Sequence, residues 1–242
     1  MKPSICGLIP FYNNHATVAN IAERAWKHLL DLILVDDGSY DGSAQTIQMK
    51  PGMRLIRHEY NCGKGAAVKT GIRHAIDSGF SHILQLDADG QHNPDDIPKF
   101  LSISERHPDA CIIGSRDRTD NLPIASKFGR KFGNFWFKIE TLGYPISDTQ
   151  CGFRVYPLKL FDTAISKCNR MDFDVEILIL AIRHGFDLID LPVTVNYFSD
   201  DRRVTHFLPF LDNWLMSKLH FRMTWSVLLH WPAYLHARRK NR

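Results

Sequence analysis

A chain of 242 residues can bury the core of one large domain or two small ones, and it is too short for a multidomain machine. Its composition, 44% hydrophobic, 23% charged and 11% aromatic, excludes disordered, collagen-like and disulfide-scaffold classes. The net charge of +4 is unevenly spread: residues 202–242 hold eight Lys/Arg against one acid, Asp212, a balance of +7, whereas the preceding residues hold 22 bases against 25 acids, a balance of −3.

The first half alternates short β-branched or Leu-rich runs with amphipathic stretches, the pattern of βαβ units around a mainly parallel sheet covered on both faces. Strands are predicted near Ser4–Ile9, Asp31–Val35, Met53–Arg57, Ser81–Leu86 and Ala110–Gly114. Between the first two, Thr17–Leu30 carries Val18, Ile21, Ala22, Ala25 and Leu29 at helical spacing, with Thr17 as its cap. Gly65–Asp77 and Pro94–Arg106 follow the same logic, the latter with Asn93 ahead of Pro94 in the first turn. After Gly114 a polar loop, RDRTDNLP, leads to an aromatic and basic helix around Ser126–Leu142, the loop SDTQCGF and a short strand at Arg154–Tyr156. A helix at Phe173–His184 then precedes a strand at Leu188–Tyr197. With no repeat and no Gly/Ser-rich linker, the reading is one α/β domain over residues 1–200 and an appendage of amphipathic helices over 201–242.

The five cysteines, Cys6, Cys62, Cys111, Cys151 and Cys168, form no CxxC pair and have no histidine at zinc-finger spacing. Reduced thiols in cytosol are therefore expected. The opening apolar stretch SICGLIP is too short for a signal peptide. Phe207–Leu235 is interrupted by Asp212, Lys218, His220, Arg222 and His230, whereas a membrane span needs about 20 predominantly apolar residues.

The sharpest chemical signal is LQLDADGQH, residues 84–92. An apolar strand ends in Asp87 and Asp89, two carboxylates on one side of an extended chain, at the strand end where open α/β sheets bind ligands. Such a pair repels itself unless a hard cation such as Mg²⁺ or Mn²⁺ neutralises it, and a diphosphate ligand follows. The competing reading is a polar turn after a strand. LILVDDGSYDGS ends likewise in Asp36 and Asp37, acids suited to ribose hydroxyls or base NH groups. In YNCGKGAAVKTG, Gly63 and Gly65 flank Lys64 at a helix start, which favours an anion; P-loop and GxGxxG spacings are both absent.

Six segments in order, IPFYNN, VDDGSYDGS, NCGKGAAVKTG, LDADGQH, GSR and SDTQCGFRVY, resemble the motif series of the family 2 inverting glycosyltransferases, most closely the dolichyl- or polyprenyl-phosphate mannosyl- and glucosyltransferase branch, over roughly residues 4–200. The resemblance implies a GT-A type domain that binds a nucleoside-diphosphate sugar. It places Pro10, Tyr12, Val35 and Asp37 in the nucleoside pocket, with Asn14 where the family is commonly acidic. It assigns the metal and diphosphate site to Asp87, Ala88 and Asp89, with Gln91 as a further metal ligand, and Arg116 to a phosphate. Lys64 and Arg130 join the donor-binding set, and Arg202 or Arg203 occupies the region of a loop arginine that closes over the donor. Physical need agrees, because sugar transfer leaves charge on the departing phosphate, and a lipid-phosphate acceptor adds a second anion. Asp148 matches the acid near the acceptor: a base for a hydroxyl acceptor, a positioning group for a phosphate already ionised. Glu176 matches a recurring carboxylate or else pairs with a neighbouring arginine, and Cys151 reads as packing.

In the tail, Leu211, Trp214, Leu215, Lys218 by its stem, Phe221, Trp225 and Leu228 recur at helical spacing, the buried face of an interfacial helix. The alternatives are a helix packed on the domain and a contact between copies of a homo-oligomer; nucleic acid ranks last, since the remainder is acidic. The sum is a metal-dependent transferase, peripheral on the cytoplasmic face of a membrane, acting on a lipid-linked acceptor. Its rivals are the same chemistry onto a sugar or glycolipid hydroxyl, and a catalytically inactive protein that binds nucleotide sugars.

Overall fold

The computed structural model describes residues 2–116, 124–195 and 208–240, with the side chains of 124–131, 230–233 and 235–240 left out. Seven strands form one sheet: β1 (Ile5–Phe11), β2 (Leu32–Asp36), β3 (Met53–Arg57), β4 (His82–Gln85), β5 (Cys111–Arg116), β6 (Arg154–Pro157) and β7 (Leu188–Val193). Their order is β3-β2-β1-β4-β6-β5-β7, and only β6 runs antiparallel to its neighbours. The sheet is thus mostly parallel, as the alternating pattern requires. The chain winds outward from β1 through β2 to β3 and returns to β4 on the other side of β1, which makes the β1/β4 crevice the topological switch point.

Pro10 sits inside the central strand β1, a place where a missing N–H normally breaks a ladder. Leu8 accepts from the Leu86 amide on the β4 side and Phe11 accepts from the Asp37 amide on the β2 side. By alternation Pro10 shares the Leu8 side, beyond the last β1–β4 pair, Leu8↔Gln85. The strands have parted there, so no donor is missed and the crevice opens.

Two cores flank the sheet. One lies under α1 (Val18–Leu29) and α4 (Ile97–Arg106) and contains Ile21, Ala25, Leu34, Leu84, Phe100 and Phe153. The other lies under α3 (Lys64–Asp77), α5 (Ile124–Glu140), α6 (Phe173–Arg183) and α7 (Pro209–Lys240), with Leu8, Val68, Ile83, Phe137, Ile179 and Leu219. A short α2 (Ser43–Thr46) follows β2. Asn93 caps the turn at Pro94–Asp96 as predicted, accepting from the Asp95 amide at 3.2 Å. Thr17 holds the N-cap position of α1 but does not cap it, because its hydroxyl donates to the Ala88 carbonyl at 2.5 Å.

The tail is one helix, α7, rather than several. It packs on the domain through Asp212, Leu219, His220, Met223 and Val227, all buried. Most of the stripe expected as the face of an interfacial helix, including Trp214, Phe221, Trp225 and Leu228, points away from the domain. Among the described residues no helix is long and apolar enough to cross a membrane. All five cysteines are free.

Candidate active site

The loops leaving β1, β2 and β4 meet at the switch point. The Tyr12 amide donates to Asn14 Oδ1 at 3.0 Å, the Asn13 amide donates to Ser39 Oγ at 2.9 Å, and the Tyr40 amide donates to Asn13 Oδ1 at 3.0 Å. Asn14 is therefore a buried brace that fixes the first loop. Tyr12 and Tyr40 meet edge to face, with ring centroids 6.1 Å apart.

Both acids after β2 are spent within the chain. Asp36 accepts from the Ser39 amide at 2.8 Å and pairs with Arg57 at 3.2 Å. Asp37, buried, accepts from the Cys62 amide at 2.9 Å, the Gly63 amide at 2.8 Å and His58 Nδ1 at 2.8 Å. As it stands, Asp37 anchors the Gly63–Lys64 turn, whatever else it does with a ligand. Gly38 makes the crossing possible: its φ is +78°, and a Cβ there would lie 2.6 Å from the Tyr60 carbonyl carbon. Ligand atoms of Asp37, His58 and Cys62 all lie within 4.8 Å of one another. The direct Asp37–His58 hydrogen bond closes that cluster on itself.

Lys64, placed by the Gly63 turn, reaches into the crevice. Its Nζ lies 2.7 Å from Asp87 Oδ1 and 2.7 Å from Asp174 Oδ2 on α6. Burial alone would lower the Lys64 pKa; the charges of Asp174 and Asp87 reverse this and raise it. The expected donor-binding lysine thus holds two carboxylates in this structure.

Asp89, two residues beyond Asp87, accepts from the Gln91 amide at 2.9 Å. Burial, and then the neighbouring Asp87 charge, push its carboxyl up to about 6. Asp87, Asp89 and the Gln91 amide oxygen are hard oxygen donors, so the residues present fit a Mg²⁺ or Mn²⁺ ion. Ala88 is buried between the two acids, tied by its carbonyl to Thr17. Gly152 covers Asp87 so closely that a Cβ on it would lie 1.9 Å from Asp87 Oδ2.

Arg116, at the end of β5, donates to Asp148 from Nε at 2.5 Å and from Nη2 at 2.9 Å, a bidentate pair in which Asp148 is fully buried. The Gln150 amide adds a third bond to Asp148 at 3.0 Å. Of the two roles the sequence offers Asp148, base or positioning group, the geometry is that of a group holding Arg116. Glu176 follows its plainer reading, pairing with Arg222 of α7 and accepting from the Lys167 and Cys168 amides at 2.9 Å each. Arg130 lies on α5 with its side chain outside the described residues, as are Arg202 and Arg203 entirely. Pro10 and Val35 pair in the β1–β2 register below the loops.

Three contributors escaped the sequence reading. Arg154 is fully buried and donates to the Cys151 carbonyl at 2.5 Å, the Thr149 carbonyl at 2.8 Å and the Asp174 carbonyl at 2.6 Å, which pins the 148–152 loop. Asp174 joins Lys64 to Arg154; burial opposes its charge, yet these two cations hold it below its ordinary range. His92, beside Gln91, is buried and pushed down to about 4 by that burial. Its Nε2 lies 3.7 Å from Cys151 Sγ, a Cys–His contact that the spacing did not reveal. Burial pushes the Cys151 thiol up to about 12, so the pair is neutral and the packing reading of Cys151 stands.

Comparison with known proteins agrees with this geometry. Residues 7–168 match the model of Glycosyl transferase family 2. The chain is 28% identical over 214 residues to a UDP-N-acetylglucosamine–dolichyl-phosphate N-acetylglucosaminyltransferase of Methanococcus voltae, covering 78% of this chain and 84% of that protein. It is 27% identical over 205 residues to a polyprenol monophosphomannose synthase of Mycolicibacterium smegmatis, covering 77% and 75%. Among solved structures, the glucosyl-3-phosphoglycerate synthase of Mycobacterium tuberculosis in complex with Mn²⁺, UDP-glucose and phosphoglyceric acid superposes with a TM-score of 0.66 at 16% identity, covering 93% of this chain and 79% of that one, and so shares its fold. The family match spans well over half the sequence and includes all six motif segments: this chain belongs to glycosyl transferase family 2 and is a glycosyltransferase.

Proposed function

We propose that this glycosyltransferase moves a sugar, with inversion, from a nucleoside-diphosphate donor to a lipid-linked acceptor, polyprenyl phosphate. The feature that carries the reading is the carboxylate pair Asp87 and Asp89, which the end of β4 delivers to the switch point beside Lys64. Asp87, Asp89 and Gln91 would hold Mg²⁺ or Mn²⁺, which when bound supplies charge stabilisation to the departing diphosphate. The nucleoside lies against Tyr12 and Tyr40, over the Asp37-anchored turn. Arg116, fixed by Asp148, presents a preorganised cation to phosphate oxygens in a partly dry crevice.

The setting of Asp148 supports a phosphate acceptor. A hydroxyl acceptor must lose a proton to a nearby base, and Asp148, buried and bound by Arg116, is poorly placed to take one. A phosphate acceptor is already ionised and needs a cation instead. The names of the relatives, which act on dolichyl or polyprenol phosphate, support the same choice. We place the protein peripherally on the cytoplasmic face of a membrane, where such acceptors are embedded and where five unpaired cysteines remain reduced.

The test is transfer of labelled sugar from a panel of nucleotide sugars to polyprenyl phosphate in the presence of Mn²⁺. Asp89→Ala is expected to lose transfer by more than a hundredfold; a variant that keeps most activity overturns the metal assignment. Transfer to a neutral glycolipid, abolished in Asp148→Asn, would instead establish the hydroxyl reading.

A further inference from the structure

The outward stripe of α7 does not stand alone. Phe210, Trp214, Phe221 and Trp225 are 90%, 64%, 73% and 57% exposed, and on α5 Phe132 and Phe135 are 52% and 59% exposed. Aromatic contacts join the two helices: Phe132 and Phe135 both meet Trp136, at 6.2 and 5.8 Å, and Trp136 stacks on the buried His220 of α7 at 5.9 Å. His220 is bonded in turn to Glu140 at the end of α5, at 2.9 Å. Two helices packed on each other thus both leave large aromatic rings exposed, more than the scattered single apolar residues of an ordinary soluble surface.

We infer that α5 and α7 together form the bilayer-docking platform of this protein, seated in the interfacial layer of a membrane containing anionic lipid. Charge favours a bilayer over a second protein. From residue 208 to 229 the single acid, Asp212, is buried against the domain, whereas Lys218 lies exposed within the aromatic stripe. Trp and Phe with interspersed Lys is the composition of the headgroup boundary, and the sequence continues into HARRKNR. Position favours it as well. Asn134, on α5 between Phe132 and Phe135, donates to the Ser147 carbonyl at 2.8 Å, and its Oδ1 accepts from Thr149 Oγ1 at 3.2 Å. The platform therefore braces the loop whose Asp148 holds Arg116, and a lipid phosphate at the bilayer surface arrives beside that arginine. The inference rests on the proposed lipid acceptor for its purpose, and on the exposed rings for its evidence.

The experiment is flotation of the full chain with phosphatidylcholine vesicles, with and without phosphatidylglycerol, alongside light-scattering measurement of oligomeric state. Wild type is expected to float, more strongly with phosphatidylglycerol. Phe221→Ser on α7 and Phe135→Ser on α5 are each expected to weaken partitioning by about tenfold, the loss of roughly half a buried aromatic side chain, with unchanged circular dichroism. Partitioning of Phe135→Ser within twofold of wild type overturns the two-helix platform. Wild type that does not float overturns it too, and a dimer dissolved by the same variants would identify a second copy as the true occupant. Stabilisation by nucleotide sugar with Mn²⁺ is measured on the same samples without vesicles. Its failure beside intact flotation removes the proposed activity and leaves the platform standing.

Discussion

At the scale of single residues the site is a balance of charges held by backbone. Asp87 rests against Gly152, and Lys64 neutralises it. A methyl group at position 152 cannot coexist with the present Asp87 rotamer, since 1.9 Å is far inside van der Waals contact. Gly152→Ala is expected to leave the fold intact and displace Asp87, lowering Mn²⁺ affinity by at least about tenfold. Calorimetric titration of Mn²⁺, with circular dichroism as the control for folding, checks it; an unchanged affinity would remove Asp87 from the ligand set. The acids of the metal pair were legible because strand-end carboxylates in DADG carry a recognisable chemistry. Arg154, Asp174 and His92 were not, because a lone Arg in FRVY, an Asp opening a helix and a His after Gln91 carry no periodic signal of their own. Asp174 and His92 take their roles from Lys64 and Cys151, tens of positions away, and Arg154 from carbonyls of its own loop and of Asp174, which meet it only in the fold. Asp148 was found by its motif, but its commitment to Arg116 is a fact of packing that no spacing encodes.

At the scale of elements, short-range patterns located most strands and helices to within a few residues, because apolar periodicity and caps are local. They said less about which face meets what. The tail shows why: α7 is apolar on two sides, so one stripe serves the domain and another remains outside, and a periodicity argument cannot rank them. What settles the packed side is polar. Arg183 of α6 is buried and donates to the Met223 carbonyl at 2.8 Å and the Glu140 carbonyl at 3.2 Å, and its guanidinium lies 4.7 Å over the Tyr234 ring. One side chain thus clamps α5, α6 and α7. Arg183→Ala leaves two buried carbonyls without their donor and opens space beneath α7, at a cost of roughly 2–4 kcal/mol. The expected outcome is a lower Tm and faster amide exchange confined to α7 and the end of α5, with nucleotide-sugar binding kept. Protection of α7 equal to wild type would show that its apolar contacts alone seat it.

At the scale of the molecule, the βαβ alternation foretold a mainly parallel sheet, and the switch between β1 and β4 follows from the strand order. The antiparallel β6, wedged between β4 and β5, was beyond local pattern, since strand order depends on crossovers. That insertion carries Gly152 and Arg154 to the metal loop, and it buries His92 against Phe153, with ring centroids 5.8 Å apart. The burial has a global consequence. His92 is pushed from 6.5 down to about 4, so its folded form resists protonation. Its contribution to stability is complete above pH 6.5 and is lost as pH falls toward 4, by on the order of 3 kcal/mol. Asp89 acts in the opposite sense in the metal-free chain: pushed from 3.8 up to about 6, it contributes stability at low pH that disappears as pH rises through 6. The two partly cancel between pH 4 and 6, so wild type alone hides both. Subtracting the curve of His92→Gln from that of wild type, in chelator, isolates the histidine. The difference in unfolding free energy is expected to favour wild type near pH 7 and to shrink steadily below pH 6.5, while parallel curves would mean that His92 is already solvated in the folded chain.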